Sequence, residues 1–117
     1  MSLFIFFKDL FFRNRLNDPT SKTVFDHYFF GLKYYLRKEA SSKDFAPILN
    51  IEIDVLDKIA TSYYGQSFNV LVNQERYKHF IQELEYPFNE SLSIETIIKL
   101  SGFDNNESFA QYIKEKV

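Results

Sequence analysis

Residues 93–109 read Ser93-Ile94-Glu95-Thr96-Ile97-Ile98-Lys99-Leu100-Ser101-Gly102-Phe103-Asp104-Asn105-Asn106-Glu107-Ser108-Phe109, and their spacing predicts two short helices joined by one sharp turn. Ser93 offers a side-chain acceptor for the N-cap of the first helix, whose apolar residues Ile94, Ile97, Ile98 and Leu100 fall at near-helical spacing. Gly102 stands where a left-handed C-terminal cap would end that helix, since glycine enters the left-handed region without a Cβ penalty. Asp104 and Glu107, three residues apart, give a capping-box-like start to the second helix. On it Phe109 and Ile113 lie four apart and share a face. The rest of the chain reads as support for this helix, turn and helix.

Composition sets the outer limits. A chain of 117 residues, 45% of them hydrophobic, supports one compact domain or two very small lobes sharing a helix. The absence of cysteine excludes disulfides, thiolate zinc sites and cysteine nucleophiles, and fits a cytoplasmic location. A formal net charge of -2 supplies no global attraction to nucleic acid, so any such contact must come from local chemistry.

From the N-terminus, Leu3, Phe4, Phe7, Leu10 and Phe11 repeat as one helical stripe, widened by Ile5, Phe6 and Phe12. The run is too short to span a bilayer, and Lys8 and Asp9 interrupt it. Arg13 and Arg15 follow the apolar run rather than precede it, and no small-residue cleavage site is present, which argues against a signal peptide. Two readings of the stripe stay open: a helix packed on the domain, or a contact surface for a homodimer, a protein partner or a membrane surface.

Asn17-Asp18-Pro19 is a turn signal. Thr23 and Asp26 then have capping-box spacing, and Phe25, Tyr28, Phe29, Leu32, Tyr35 and Leu36 predict a helix of about three turns with one apolar face. Lys33, Arg37 and Lys38 sit near its end, where the helix dipole favours cations. Residues 1–40 thus form an aromatic-rich helical segment, and a second unit spans 41–117. Ser41-Ser42-Lys43-Asp44 opens the next helix. Pro47 in a helix interior would remove a hydrogen bond at a cost on the order of 3 kcal/mol, so the expectation is Asp44 as N-cap with the proline in the first turn. An acidic helix from Glu52 to Tyr64 follows. Phe68, Leu71, Val72, Phe80, Ile81 and Leu84 then predict a long helix from Ser67 to about Glu85, ended by Pro87.

The pattern Ile94, Ile97, Gly102-Phe103, Phe109, Ile113-Lys114 resembles the second helix-turn-helix of the AraC family of transcriptional regulators, with Ile98 where family members usually have alanine. The chain also resembles the first helix-turn-helix of that family from Phe45 to Arg76 without gaps. Phe45-Ala46, Leu56, Gly65, Phe68 and Arg76 fall at the family spacing, and Asn50, which tolerates left-handed backbone, replaces the turn glycine. This resemblance covers about residues 41 to 117. It implies an all-α fold of two helix-turn-helix units joined by a long linker helix, with additional N-terminal helices. The DNA-binding domain would be truncated at its C-terminal end, since the family motif runs on past Val117. The implied function is a sequence-specific regulator whose partner is double-stranded DNA. At ~1.5 Å per residue the long helix would span roughly 25 to 30 Å, near the ~34 Å repeat of B-DNA, so two recognition helices could enter successive major grooves.

By the phase of Phe109 and Ile113, the outward positions of the second recognition helix are Asn106, Glu107, Ser108 and Gln111, with Lys114 placed for phosphate. Asparagine and glutamine pair bidentately with adenine, glutamate accepts from cytosine, and serine is permissive. On the first recognition helix the outward residues are Glu52, Asp54, Asp57 and Lys58, so three carboxylates approach phosphates with one lysine to offset them. The competing reading is the polar face that any amphipathic helix turns to water, in a degenerate helix-turn-helix domain serving as a protein-protein interaction module. His27 and His79 lack metal-ligand spacing, the three glycines form no phosphate loop, and no serine carries a nucleophile elbow, so no enzymatic activity, cofactor or metal is expected.

Overall fold

The computed structural model describes residues 19–116, and within them the chain is all-helical. The Phe-rich stripe of residues 3–12 and the Asn17-Asp18 turn lie outside the described residues. In chain order the helices are α1 (Pro19–Asp26), α2 (Ser42–Leu49), α3 (Ile53–Tyr64), α4 (Phe68–Glu85), α5 (Ile94–Leu100) and α6 (Asn106–Lys116).

The predicted three-turn helix over Phe25 to Leu36 is not continuous. Helix α1 is already under way at Thr23, so Thr23 and Asp26 do not start it. Asp26 instead accepts hydrogen bonds from Lys22 at 2.6 Å and from the Tyr64 hydroxyl. The chain then widens into a π turn over His27–Gly31, closed by Leu32 N–H on the His27 carbonyl at 2.9 Å. Lys33, at φ 53°, ends the helical run in the left-handed region. The reason is aromatic placement: Phe25, Phe29 and Tyr34 all lie in one buried cluster, whereas on an uninterrupted helix of ~3.6 residues per turn Tyr34 would stand about half a turn round from Phe25. Leu32, expected inside, is 61% exposed.

Helix α2 starts earlier than expected. Ser41 is the N-cap, and the Asp44 carboxylate reaches back to accept from the Ser41 N–H at 3.3 Å and hydroxyl at 2.7 Å. Pro47 therefore lies inside the helix, where the lost donor would have met the carbonyl of exposed Lys43, a group that water can satisfy. Asn50 takes φ 57° and ψ 44° as expected, and its N–H closes on the Pro47 carbonyl at 3.1 Å. Helix α3 ends on Gly65 at φ 74°. Helix α4 runs from Phe68 to Glu85, and Pro87 stands just beyond it in a short 3-10 turn.

Two apolar clusters share α4. Phe68, Leu71 and Val72 belong to the first, with Phe25, Phe29, Phe45, Leu56 and Ile59, and Phe45 stacks on Phe68 at 5.0 Å. Residues of the 24–40 stretch thus share a core with those of 45–72. The second cluster joins Phe80 of α4 to Ile97, Ile98, Phe103 and Tyr112, with Tyr77, Ile81, Phe109 and Ile113 around them. Three expectations here are corrected. Ile94 and Leu100 face outward, 60% and 52% exposed, because α5 is only seven residues long and meets the core through Ile97 and Ile98 alone. Phe109 is half-buried, its ring 4.5 Å from Phe80, while Tyr112 takes the deeper position on α6. Leu84 is exposed at the end of α4.

Candidate nucleic-acid interface

The joint between α5 and α6 places the first set of candidate residues. Ser93 caps α5 by accepting from the Thr96 N–H at 3.1 Å. After Ser101 the chain turns at Gly102, φ 96°, and Phe103 is driven into the second core. The cap of α6 is Asn105 rather than Asp104: Asn105 Oδ1 accepts from the Ser108 N–H at 2.8 Å, and Ser108 Oγ accepts from the Asn105 N–H at 3.3 Å. This reciprocal pair does the work expected of Asp104 and Glu107. Asp104 lies 3.7 Å from Lys38 instead, in an exposed ion pair worth little.

From this start α6 turns Asn106, Glu107, Ser108, Gln111 and Lys114 to solvent, as the phase of its apolar residues required. The five are not equally available. Ser108 Oγ also donates to the Asn105 carbonyl at 2.9 Å, and Gln111 Nε2 donates to Glu115 at 2.9 Å. Asn106 and Glu107, with Glu95, Lys99 and Asn105, line an open depression of about 370 Å³ beside the turn.

On α3, Leu56, Ile59 and Ala60 point into the first core, and Glu52, Asp54 and Lys58 are exposed. Asp57 departs from the expected outward position. Its Oδ1 accepts from the Phe68 N–H at 2.9 Å, so the carboxylate satisfies an orphan donor at the start of α4 and is half-buried there. The outward acid on α3 is thus Glu52 and Asp54, one carboxylate fewer than the sequence suggested. Sequence reasoning missed this cap because its partner lies eleven residues away, on another helix.

His79 is half-buried on α4, with Ser101 on one side of its ring and Glu83 on the other. Ser101 Oγ donates to the Ile97 carbonyl at 2.9 Å, so it accepts from His79 Nδ1–H at 3.0 Å, leaving Nε2 3.4 Å from Glu83. Burial pushes its pKa below the ordinary imidazole value, against the pull of Glu83. The residue ties α4 to the end of α5. His27 is exposed, with its ring beside Tyr28. Among the described residues no group of three His, Asp or Glu side chains is placed to hold a metal ion, and no helix is long and apolar enough to cross a membrane.

Compared with family models, curated proteins and solved structures, the chain matches none of them.

Proposed function

We propose that the chain is a sequence-specific, double-stranded-DNA-binding regulator of the AraC type, reading bases through α6 and meeting the duplex a second time through α3. The observation that carries this reading is a repeated device. A capped helix ends on a left-handed residue, Asn50 or Gly102, and a second helix follows with one buried and one open polar face. The two devices share α4, whose 18 residues span about 27 Å at ~1.5 Å per residue. Asn106 and Gln111 carry the amides that pair with adenine, Glu107 can accept from cytosine, Ser108 contributes its hydroxyl, and Lys114 and Lys58 serve phosphates. Under this reading Asp57 acts indirectly, by fixing the start of α4 against α3.

A second reading, a protein-protein interaction module on a degenerate helix-turn-helix frame, is favoured by one feature: exposed Glu52 and Asp54 at the leading end of α3 oppose the phosphate field. One double variant separates the two. If α3 faces the duplex, Glu52→Gln with Asp54→Asn tightens binding to random DNA by roughly 3- to 10-fold at low salt and steepens the salt dependence, as expected when repulsion from the backbone is removed. Anisotropy titrations at three salt concentrations measure it. Superimposable titrations for parent and variant would detach α3 from DNA and leave it to a protein partner.

A further inference from the structure

Between Val72, the last α4 residue in the first core, and Tyr77, the first against the second, α4 carries Asn73, Gln74, Glu75 and Arg76. These four polar residues belong to neither apolar cluster. Here the two helix pairs are joined by helix backbone without shared core, and here a second connection crosses. Arg76 Nε donates to the Tyr35 carbonyl at 2.7 Å and Nη2 donates to the Arg37 carbonyl at 2.7 Å. The same guanidinium lies 5.9 Å from the Phe103 ring of the second core. Gly102 closes the junction from the other side: a Cβ there would stand 2.6 Å from the Tyr35 carbonyl oxygen and 3.1 Å from Leu36 Cα. The Tyr35 side chain, by contrast, is buried in the first core. One short segment thus has its ring in one cluster and its backbone against the turn of the other helix pair.

We infer that residues 35–37 form a strap, fastened by Arg76, that sets the orientation of the α5–α6 pair relative to α2–α3. The mechanical part stands on the contacts alone, and its consequence for DNA rests on the function proposed above. Arg76 is a positioning residue: it touches no base, and it governs whether two helices engage one duplex together. Charge-assisted bonds to two carbonyls suit this role, since a planar guanidinium spans both acceptors and an ammonium does not.

The chain has no cysteine, so spin labels on Ser62→Cys and Ala110→Cys, both exposed positions, report the α3–α6 distance without background. The parent gives one narrow distance distribution. Arg76→Gln broadens it toward longer distances while the helical circular dichroism is retained, and Arg76→Lys, keeping the charge but not the fork, falls between. An unbroadened distribution in folded Arg76→Gln overturns the strap, as does loss of helical signal in both variants, which would make Arg76 a requirement for folding rather than for orientation. On DNA, Arg76→Gln lowers affinity for a duplex carrying both half-motifs by roughly tenfold or more and leaves a single half-motif unaffected, because simultaneous engagement is what geometry controls. Equal losses on both duplexes also overturn the positioning role. A broadened distribution in a protein whose parent binds no duplex upholds the strap and removes the DNA reading, so the two failures are distinct.

Discussion

Gly102→Ala is expected to destabilise the chain by about 2 to 5 kcal/mol, the sum of backbone strain at a positive φ and of overpacking in a filled space. Both contributions are visible. Gly102 sits at φ 96°, and an added methyl would lie 2.6 Å from the Tyr35 carbonyl oxygen and 2.8 Å from Arg76 Nε. Backbone on one side and a doubly bonded guanidinium on the other leave little room to give. Gly65 supplies the control: it too is left-handed, at φ 74°, but nothing lies within 4 Å of its would-be Cβ. Gly65→Ala should therefore cost only about 1 to 2 kcal/mol, the left-handed penalty alone. Urea midpoints of the two variants measure the difference. Equal losses would mean that the Gly102 turn does not approach the 35–36 backbone closely, and the strap would lose one of its fastenings.

The second large effect is expected at Phe68, where truncation to alanine should cost about 3 to 5 kcal/mol, a sizeable share of the 5–15 kcal/mol that holds a typical domain together. Phe68 is fully buried, stacked on Phe45 and within 5.4 Å of the Phe29 ring centroid and 6.1 Å of that of Phe25. It is also where α2, α4 and the π-turn segment meet, so the cavity would open among rings held by three separate stretches of chain. Phe109→Ala, at a half-buried position where less apolar surface is withdrawn from water, should cost less, roughly 1 to 3 kcal/mol. A larger loss at Phe109 than at Phe68 would invert the burial order on which the two-cluster description rests.

What could be read from the sequence was mostly local. Pro87 marks the end of α4 because a missing donor acts within a turn of where it stands, and the helix ends at Glu85. Asn50 and Gly102 were legible for the same reason: each is a residue type that adopts the left-handed conformation at small cost, placed just after an apolar repeat. The all-α class was what the resemblance implied, and the helical periodicities agreed with it. What escaped was set by contacts between distant segments. Nothing near Lys33 marks it as left-handed; the demand comes from burying Tyr34 in the same cluster as Phe25 and Phe29. The choice of Asn105 over Asp104 as cap depends on how far Phe103 must turn inward before α6 can begin. Asp57 was read as an outward acid because helical phase says nothing of a partner N–H on the next helix. In the candidate site the outward phase of α6 was legible, since it mirrors the buried phase of Phe109, Tyr112 and Ile113. The engagement of Gln111 by Glu115 and of Ser108 by Asn105 was not, because the sequence does not rank alternative hydrogen-bond partners.

DNA recognition by two helices is tested most directly by selecting bound sequences from a random duplex pool at low salt, with the parent chain beside Asn106→Ala and Gln111→Ala. The expected result is enrichment of a two-part motif with its halves about one helical turn apart, and a loss of roughly 1 to 3 kcal/mol for each variant on the selected site, with relaxed preference at a different base pair in each case. Recovery of sequences indistinguishable from the input pool, or equal affinity of parent and both variants for the selected duplex, would contradict it.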